Sequence, residues 1–278
     1  MTRKPRMGRI EYINVLPVYH AMETGRVPHG YELVYAPPSR LNNLMNAGEL
    51  AVASTSSYEY ARNPGRYLLL PNLSIASRGE VMSVLFLSRL PAEELDGKTV
   101  LVSAQSHTSV ALLRMLLRDY ANVSPTFVTG NATTAAGCAT PPDALLAIGD
   151  EALAFRGTPL YPHMWDLGEV WRQWTGLPFV FGVWIADRAF ASQPQGAMHP
   201  ARILRASLEA GMASLDGILD IAEKHCALSR EELTRYYTQA LRYAFGEEEQ
   251  AGLRLFYQRL AESGEIPRAP ELVFWEDA

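Results

Sequence analysis

Residues 32–57 read ELVYAPPSRLNNLMNAGELAVASTSS, a strand, a helix and a strand in close succession. Glu32–Ala36 and Leu50–Ala53 are the two β-rich runs, and the leucine and methionine residues between them recur at helical spacing. Ser39 is the predicted N-cap of this helix, and Gly48 is its predicted end. Two strands that one helix joins are expected to pair in parallel, with a right-handed crossover.

The same alternation continues through about two thirds of the chain and predicts an α/β fold. From His199 onward the pattern is helical, with a capping box at Ser229–Glu232. The further predicted strands are Arg9–Val15, Glu80–Leu87, Lys98–Ser103, Thr126–Thr129, Ala144–Ile148 and Leu177–Ala186, and the further helices include Pro17–Glu23 and Ser106–Tyr120.

Two α/β units follow from this order, with the second inserted into the first. We expect one lobe to comprise residues 1–87 and 184–278, and residues 88–183 to form the other. The β-rich runs near 80–88 and 177–186 are the predicted crossing strands between the lobes. Open α/β sheets bind ligands beyond the carboxyl ends of their strands, so we expect the site in the cleft between the lobes.

Composition excludes several classes of protein. The 278 residues are 48% hydrophobic and carry a net charge of −5, which argues against disorder and against nucleic-acid binding. The apolar runs are too short to cross a membrane. The basic start Met1–Arg6 is not followed by an apolar segment, so we expect a cytoplasmic protein. Cys138 and Cys226 are expected to be two reduced thiols.

Four loops at strand ends supply the candidate binding residues. The loop at 106–109 opens a helix, whose N-terminal N–H groups and hydroxyls suit a carboxylate or phosphate, although Ser106 or Thr108 alone could simply cap the helix. The other three loops begin at Asn14, Ser54 and Gly149, and Asn14 could be a turn residue or could face the cleft. Ser83 lies inside the predicted β-rich run Glu80–Leu87 instead, and it could face solvent or the cleft. The candidate substrate-binding residues are Ser54, Thr55, Ser56, Ser106, His107, Thr108, Ser109, Gly149 and Asp150.

Sequence motifs of the common catalytic and cofactor sites are absent. There is no P-loop, no dinucleotide fingerprint, no zinc-protease motif and no nucleophile elbow. The six histidines lack metal-ligand spacing, so we expect neither a metal nor a cofactor. The aromatic run that includes Trp165, Trp171, Trp174, Phe179 and Trp184 is expected to be core packing.

The chain resembles the chorismate dehydratases of the futalosine route to menaquinone. The phrase Arg9–Val18 resembles the N-terminus of that family, and further similar stretches follow in the family's order. These stretches are Ser74–Gly79, Ser83–Phe86, Thr108–Leu113, Ile148–Leu153 and Thr175–Val180. The C-terminal third is less diagnostic.

The resemblance implies a type II periplasmic-binding-protein-like fold and the loss of water from chorismate to give 3-[(1-carboxyvinyl)oxy]benzoate. Asn14 and Ser83 fall where the family places catalytic polar residues, and Ser106, Thr108 and Ser109 fall where it holds a carboxylate. Glu80, Met82 and His107 depart from the family's pattern. The partner is then chorismate alone, with no nucleic acid or membrane, and the protein is a monomer or homodimer.

Three other functions stay open from the sequence. The related 1,4-dihydroxy-6-naphthoate synthases carry a histidine-centred motif where this chain has Gly149-Asp150-Glu151-Ala152, which argues against that reaction. A cytoplasmic small-anion-binding protein or regulator, and an extracytoplasmic solute receptor, could share the fold. Within the dehydratase hypothesis, His107 and Asp150 are the only candidate protein bases, and we expect a substrate carboxylate to take the proton instead.

Overall fold

Two five-stranded sheets form the framework of this computed structural model, which describes residues 4–103, 106–138, 140–193 and 199–276. The first sheet has the order β2-β1-β3-β10-β4. Its β1, β2 and β3 are parallel, whereas β10 lies antiparallel between β3 and β4. The strands are β1 (Arg6–Ile10), β2 (Glu32–Ala36), β3 (Val52–Ser56), β4 (Tyr67–Ser77) and β10 (Phe179–Asp187).

The second sheet has the order β7-β6-β8-β5-β9. Here β6 is parallel to β7 and β8, and β5 is antiparallel to β8 and β9. The strands are β5 (Val84–Ser88), β6 (Thr99–Val102), β7 (Thr126–Thr129), β8 (Ala144–Ile148) and β9 (His163–Asp166).

Helices connect the strands and make up the C-terminal region. Short 3₁₀ turns lie at Ile13–Val15 and Ala92–Glu94, and π-helical turns at Leu116–Tyr120 and Tyr236–Ala240. The helices are α1 (Leu16–Glu23), α2 (Pro38–Asn46), α3 (Ser57–Arg62), α4 (His107–Met115), α5 (Ala132–Ala136), α6 (Asp150–Phe155), α7 (Leu167–Thr175), α8 (Arg188–Ala191), α9 (Pro200–Ala213), α10 (Leu215–Ala222), α11 (Arg230–Arg235) and α12 (Glu247–Glu262).

The α/β fold class with a helical C-terminal region is confirmed, and several local predictions are corrected. The predicted strand Arg9–Val15 ends at Ile10, because the chain turns into a 3₁₀ helix at Ile13. The helix α2 begins one residue before Ser39, so Pro37 is its N-cap instead. The capping box at Ser229–Glu232 is present as predicted.

The passages between the sheets lie a few residues from their predicted positions. All of β5 pairs within the second sheet, and all of β10 pairs within the first. The chain therefore changes sheets between Ser77 and Val84 and again between Asp166 and Phe179, whereas the predicted lobe limits are 87/88 and 183/184. The division into two lobes on either side of these passages stays a prediction.

The core is continuous from one sheet to the other. Its aromatic centre is Trp171, whose ring lies 5.2 Å from that of Phe179 and 6.3 Å from that of Phe256. Trp171, Phe179 and Trp184 are almost completely buried, as expected for core residues, whereas Trp165 and Trp174 are partly exposed. The helix α12 thereby packs on the start of β10.

Gly252 sets how closely α12 approaches that strand. A Cβ atom at Gly252 would overlap the carbonyl oxygen of Pro178, which is backbone and cannot move aside. We expect Gly252→Ala to lower the free energy of unfolding by about 1–3 kcal/mol, measured by urea denaturation. The control is Gly217→Ala in α10, where a Cβ meets no atom within 4 Å, and which should stabilise by about 0.5–1 kcal/mol. Equal effects of the two substitutions would contradict this packing.

Candidate active site

A small cavity lies between the two sheets, at the carboxyl ends of β1, β3 and β8. Its volume is about 80 Å³. The first passage between the sheets lines it through Val81 and Ser83. The lining residues are Ile10, Tyr12, Asn14, Pro38, Thr55, Ser56, Ile75, Val81, Ser83, Val84, Ser106, Ser109, Ile148, Gly149, Phe181 and Gly182.

The lining combines apolar walls with uncharged polar groups. Among these lining residues there is no Asp, Glu, Lys, Arg or His. The polar side chains are those of Tyr12, Asn14, Thr55, Ser56, Ser83, Ser106 and Ser109. A site of this kind can hold a polar ligand only through neutral hydrogen bonds and helix dipoles.

Three of these polar groups are buried without a hydrogen-bond partner: Asn14 Oδ1, Thr55 Oγ1 and Ser56 Oγ. Thr55 is fully buried and Ser56 is 9% exposed. The two hydroxyls lie within β3 itself, and not in the loop after the strand that the sequence predicted. A buried polar group without a hydrogen-bond partner costs about 1–3 kcal/mol of folding stability. The presence of three such groups at one cavity points to a ligand that forms the missing hydrogen bonds.

The start of α4 forms another wall of the cavity. Ser106 caps the helix, since its Oγ accepts the N–H of Ser109 at 3.3 Å and lies 2.9 Å from Ser109 Oγ. Both serines also line the cavity. Helix capping and ligand binding, the two roles that the sequence left open for this segment, are therefore compatible. The positive end of the α4 dipole lies at the cavity wall.

Thr108 and His107 do not line the cavity, in contrast to the sequence prediction. Thr108 Oγ1 accepts the N–H of Tyr58 at 2.9 Å and lies 3.3 Å from Ser57 Oγ, so it joins α4 to the start of α3. The His107 ring packs on Tyr58, with centroids 6.1 Å apart. It faces a separate basin beside Arg62 and Arg114.

Two further predicted residues support the cavity from outside its lining. Ser54 Oγ accepts the N–H of Ile10 at 3.3 Å, which joins β3 to β1. Asp150 Oδ1 accepts the N–H of Ile13 at 3.4 Å, next to Asn14. Burial raises the pKa of Asp150, and the Ile13 N–H acts in the opposite direction.

Gly149 lies in the lining and fits only as glycine. Its φ is +59°, and a Cβ would come within 3.0 Å of the Tyr12 ring. Its N–H donates to the Ser83 carbonyl at 2.8 Å. Gly149 therefore lets Tyr12 close over this end of the cavity and fixes the backbone at Ser83.

The passage that carries Ser83 is held by Asp166, which the sequence did not single out. This carboxylate accepts the N–H groups of Val81 and Met82, and also those of Gly168 and Glu169 at the start of α7. Met82 has a φ of +65°, a strained conformation for a non-glycine residue. Asp166 thus fixes the conformation that turns Ser83 toward the cavity.

Within the described ranges, no three His, Cys, Asp or Glu side chains are grouped so as to hold a metal ion. Cys138 and Cys226 are free thiols. No helix in the described part of the chain has the length and apolarity needed to cross a membrane.

A protein family described as menaquinone biosynthesis matches residues 5–262. The chain belongs to the menaquinone biosynthesis family. Its similar relatives include the chorismate dehydratase of Thermus thermophilus, 30% identical over 95% of this chain and 96% of that protein. They also include the 1,4-dihydroxy-6-naphthoate synthase of Streptomyces coelicolor, 25% identical over 90% of each chain.

Solved structures place this menaquinone biosynthesis protein among periplasmic-binding-protein-like folds, as predicted. A crystal structure of a protein from Archaeoglobus fulgidus, 20% identical, has a TM-score of 0.75 and covers 94% of this chain and 98% of its own. The periplasmic aliphatic sulphonate binding protein of Escherichia coli, 13% identical, has a TM-score of 0.64 and covers 98% and 96%. These likenesses concern the fold alone.

Asp166 gives this family member a pH-dependent stability. Burial raises the pKa of Asp166 to about 6, although its N–H partners favour the ionised form. The unfolded chain has a pKa of about 3.9 at this position, so the folded state binds the additional proton between about pH 4 and 6. Proton binding by Asp166 therefore contributes to the free energy of unfolding. This contribution is fully present below about pH 4 and is lost as the pH rises through about 6.

We therefore expect the stability advantage of the wild type over Asp166→Asn to shrink by about 2 kcal/mol between pH 4.5 and pH 8. The measurement is urea denaturation of both proteins across this range. Asp96→Asn, at an exposed carboxylate that accepts the N–H of Ser124, is the matched control. If the stability advantage of the wild type over Asp166→Asn stays constant or grows with pH, the raised pKa of Asp166 is contradicted.

Proposed function

We propose that this protein is a chorismate dehydratase, which removes water from chorismate to give 3-[(1-carboxyvinyl)oxy]benzoate. The observation that carries the proposal is the uncharged cavity in which Asn14, Thr55 and Ser56 present unpaired polar atoms beside Ser83. The 30% identity to a chorismate dehydratase over nearly the whole chain supports the same reaction.

The cavity offers chorismate neutral partners for each of its polar groups. Chorismate carries two carboxylates and a ring hydroxyl, and the α4 N-terminus and the hydroxyls of Thr55 and Ser56 can bind a carboxylate. The Asn14 amide can bind the substrate without bringing a like charge near it. The cavity has a volume of about 80 Å³, which is small for a ring that carries two carboxylates, so we expect binding to widen the space between the two sheets.

The proposed reaction is an elimination from the ring. The base takes the proton from ring C3, the electron pair of that C–H bond forms the new ring double bond, and the C4–O bond breaks. The departing hydroxide gains one proton, which balances the proton taken from C3, and leaves as water. Because the product ring is aromatic, the reaction is strongly downhill, and we expect it to need no metal or cofactor. The protein's task is to orient the leaving hydroxyl and to exclude competing rearrangements.

The base in this proposal is a carboxylate of the substrate, most directly that of the enolpyruvyl arm. No residue lining the described cavity has a side chain basic enough to take the C3 proton at neutral pH. Asp150 lies behind the lining, bonded to the Ile13 N–H, and His107 faces a different basin. An internal base of this kind benefits from a fixed, water-poor position.

The alternative reaction is that of the 1,4-dihydroxy-6-naphthoate synthases, since relatives with this name are 25% and 27% identical. A cytoplasmic binding protein of the same fold is the other alternative. The test is to incubate the purified protein with chorismate, with and without EDTA, and to follow products by chromatography and mass. The proposal predicts a new aromatic product lighter by one water, and unchanged chorismate would overturn it.

Asn14 and Ser83 are the residues that we expect to carry turnover. Asn14→Ala and Ser83→Ala should each lower kcat by about 10² or more, because each removes a group that orients the reacting centre. Asn43→Ala and Ser192→Ala, at exposed positions away from the cavity, are the matched controls. Full activity of either cavity variant would contradict its assigned role.

A substitution at Thr55 is expected to weaken substrate binding without lowering the stability of the protein. Thr55→Val removes a buried hydroxyl that has no partner in the protein, so the variant should be at least as stable as the wild type, while KM for chorismate rises about tenfold. Thr175→Val is the control, because Thr175 Oγ1 donates to the Trp171 carbonyl at 2.8 Å. The control should lose about 1 kcal/mol and keep its KM. A clear loss of stability in Thr55→Val would show that its hydroxyl has a partner within the protein.

A further inference from the structure

Three tyrosines of the C-terminal helical region reach the two segments that carry Asn14 and Ser83. Tyr236 donates to Ser83 Oγ at 3.0 Å, Tyr237 to the Ile13 carbonyl at 3.0 Å, and Tyr243 to the Asn14 carbonyl at 2.8 Å. All three are buried. The region that was least informative in the sequence therefore holds both proposed catalytic segments in place.

The bond from Tyr236 differs from the other two because it ends on a side chain that lines the cavity. Tyr236 begins the π-helical turn Tyr236–Ala240 that follows α11. It is 1% exposed, and its hydrogen bond goes to Ser83 Oγ. If Ser83 donated to Tyr236 instead, the phenol proton would lose this acceptor in the protein interior, which costs about 1–3 kcal/mol.

The direction of this bond determines what Ser83 can do. A serine oxygen that accepts a proton from Tyr236 still has its own proton to donate. In the protein that proton is directed at the Val81 carbonyl, at a long distance of 3.4 Å. A ligand oxygen in the cavity would be a better acceptor, because hydrogen bonds weaken at such lengths.

We propose that Tyr236 is a positioning residue, which orients the Ser83 hydroxyl so that it donates to the leaving hydroxyl of the substrate. This inference rests on the dehydratase function proposed above. Donation to that oxygen would stabilise the charge that develops as the C4–O bond breaks. Burial raises the pKa of Tyr236, so the residue remains a phenol and a donor.

The test is a double-mutant cycle on kcat with Tyr236→Phe, Ser83→Ala and the double variant. Tyr236→Phe keeps the ring and removes the hydroxyl, and should lower kcat about tenfold with KM within about twofold. If Tyr236 acts through Ser83, the double variant should be as slow as Ser83→Ala alone. Unchanged kcat in Tyr236→Phe, or losses that multiply in the double variant, would overturn the proposal.

Tyr60→Phe controls for the loss of a buried phenol. Tyr60 is fully buried, and its hydroxyl donates to the Glu271 carbonyl at 2.7 Å and accepts the Val273 N–H at 2.9 Å, away from the cavity. Tyr60→Phe should lower Tm by at least as many degrees as Tyr236→Phe and leave kcat unchanged. A kcat loss in Tyr60→Phe equal to that of Tyr236→Phe would attribute the effect to general destabilisation and overturn the role of Tyr236.

The wild-type assay separates the two hypotheses. If the wild type does not convert chorismate, the proposed function fails, and the role of Tyr236 in that reaction fails with it. If the wild type converts chorismate but the cycle is additive, the function stands and the positioning role of Tyr236 is wrong.

Discussion

The position of β10 between β3 and β4 is the constraint on which the site depends. The chain leaves the first sheet after β4 and must return to the middle of the same sheet, so the two passages start and end side by side, with Ser77 paired to Phe179. This arrangement brings the Ser83 segment next to the hydroxyls of β3. The Asp166 carboxylate then fixes that segment, because it accepts the N–H groups of Val81 and Met82 as well as the N–H of Gly168 at the start of α7.

The absence of charge from the described cavity lining is informative about the proposed chemistry. A dianionic ligand would be expected to meet arginines, yet arginines lie instead at the separate basin next to His107. Neutral donors and a helix dipole bind a carboxylate less tightly than a guanidinium would. They also leave a substrate carboxylate basic enough to accept a proton, which the proposed elimination requires.

Local sequence patterns were sufficient for much of the fold. The strands Thr126–Thr129 and Ala144–Ile148 were predicted with correct limits, because each is a short β-rich run between turns. The strand β4 was missed, since Pro71 and the positive φ of Asn72 interrupt its pattern. Both residues fit within β4 because the register of its pairing with β10 shifts along the strand.

The site was predictable where it follows strand ends and not where it depends on distant partners. Seven residues that the sequence singled out line the cavity, namely Asn14, Thr55, Ser56, Ser83, Ser106, Ser109 and Gly149. Their roles in binding and catalysis stay predictions. Thr108 was expected to bind substrate, but its hydroxyl is engaged by the start of α3. The contact of Tyr236 with Ser83 joins residues 153 positions apart, and no local pattern signals such a pair.

A crystal structure of the protein with 3-[(1-carboxyvinyl)oxy]benzoate bound would show where the proposed product lies. We expect this product in the cavity between the sheets, with its carboxylates at the start of α4 and at Thr55 and Ser56. Asn14 and Ser83 should then contact the ring. Product bound only in the basin beside Arg62 and Arg114, with the cavity unchanged, would contradict the assignment of the cavity as the active site.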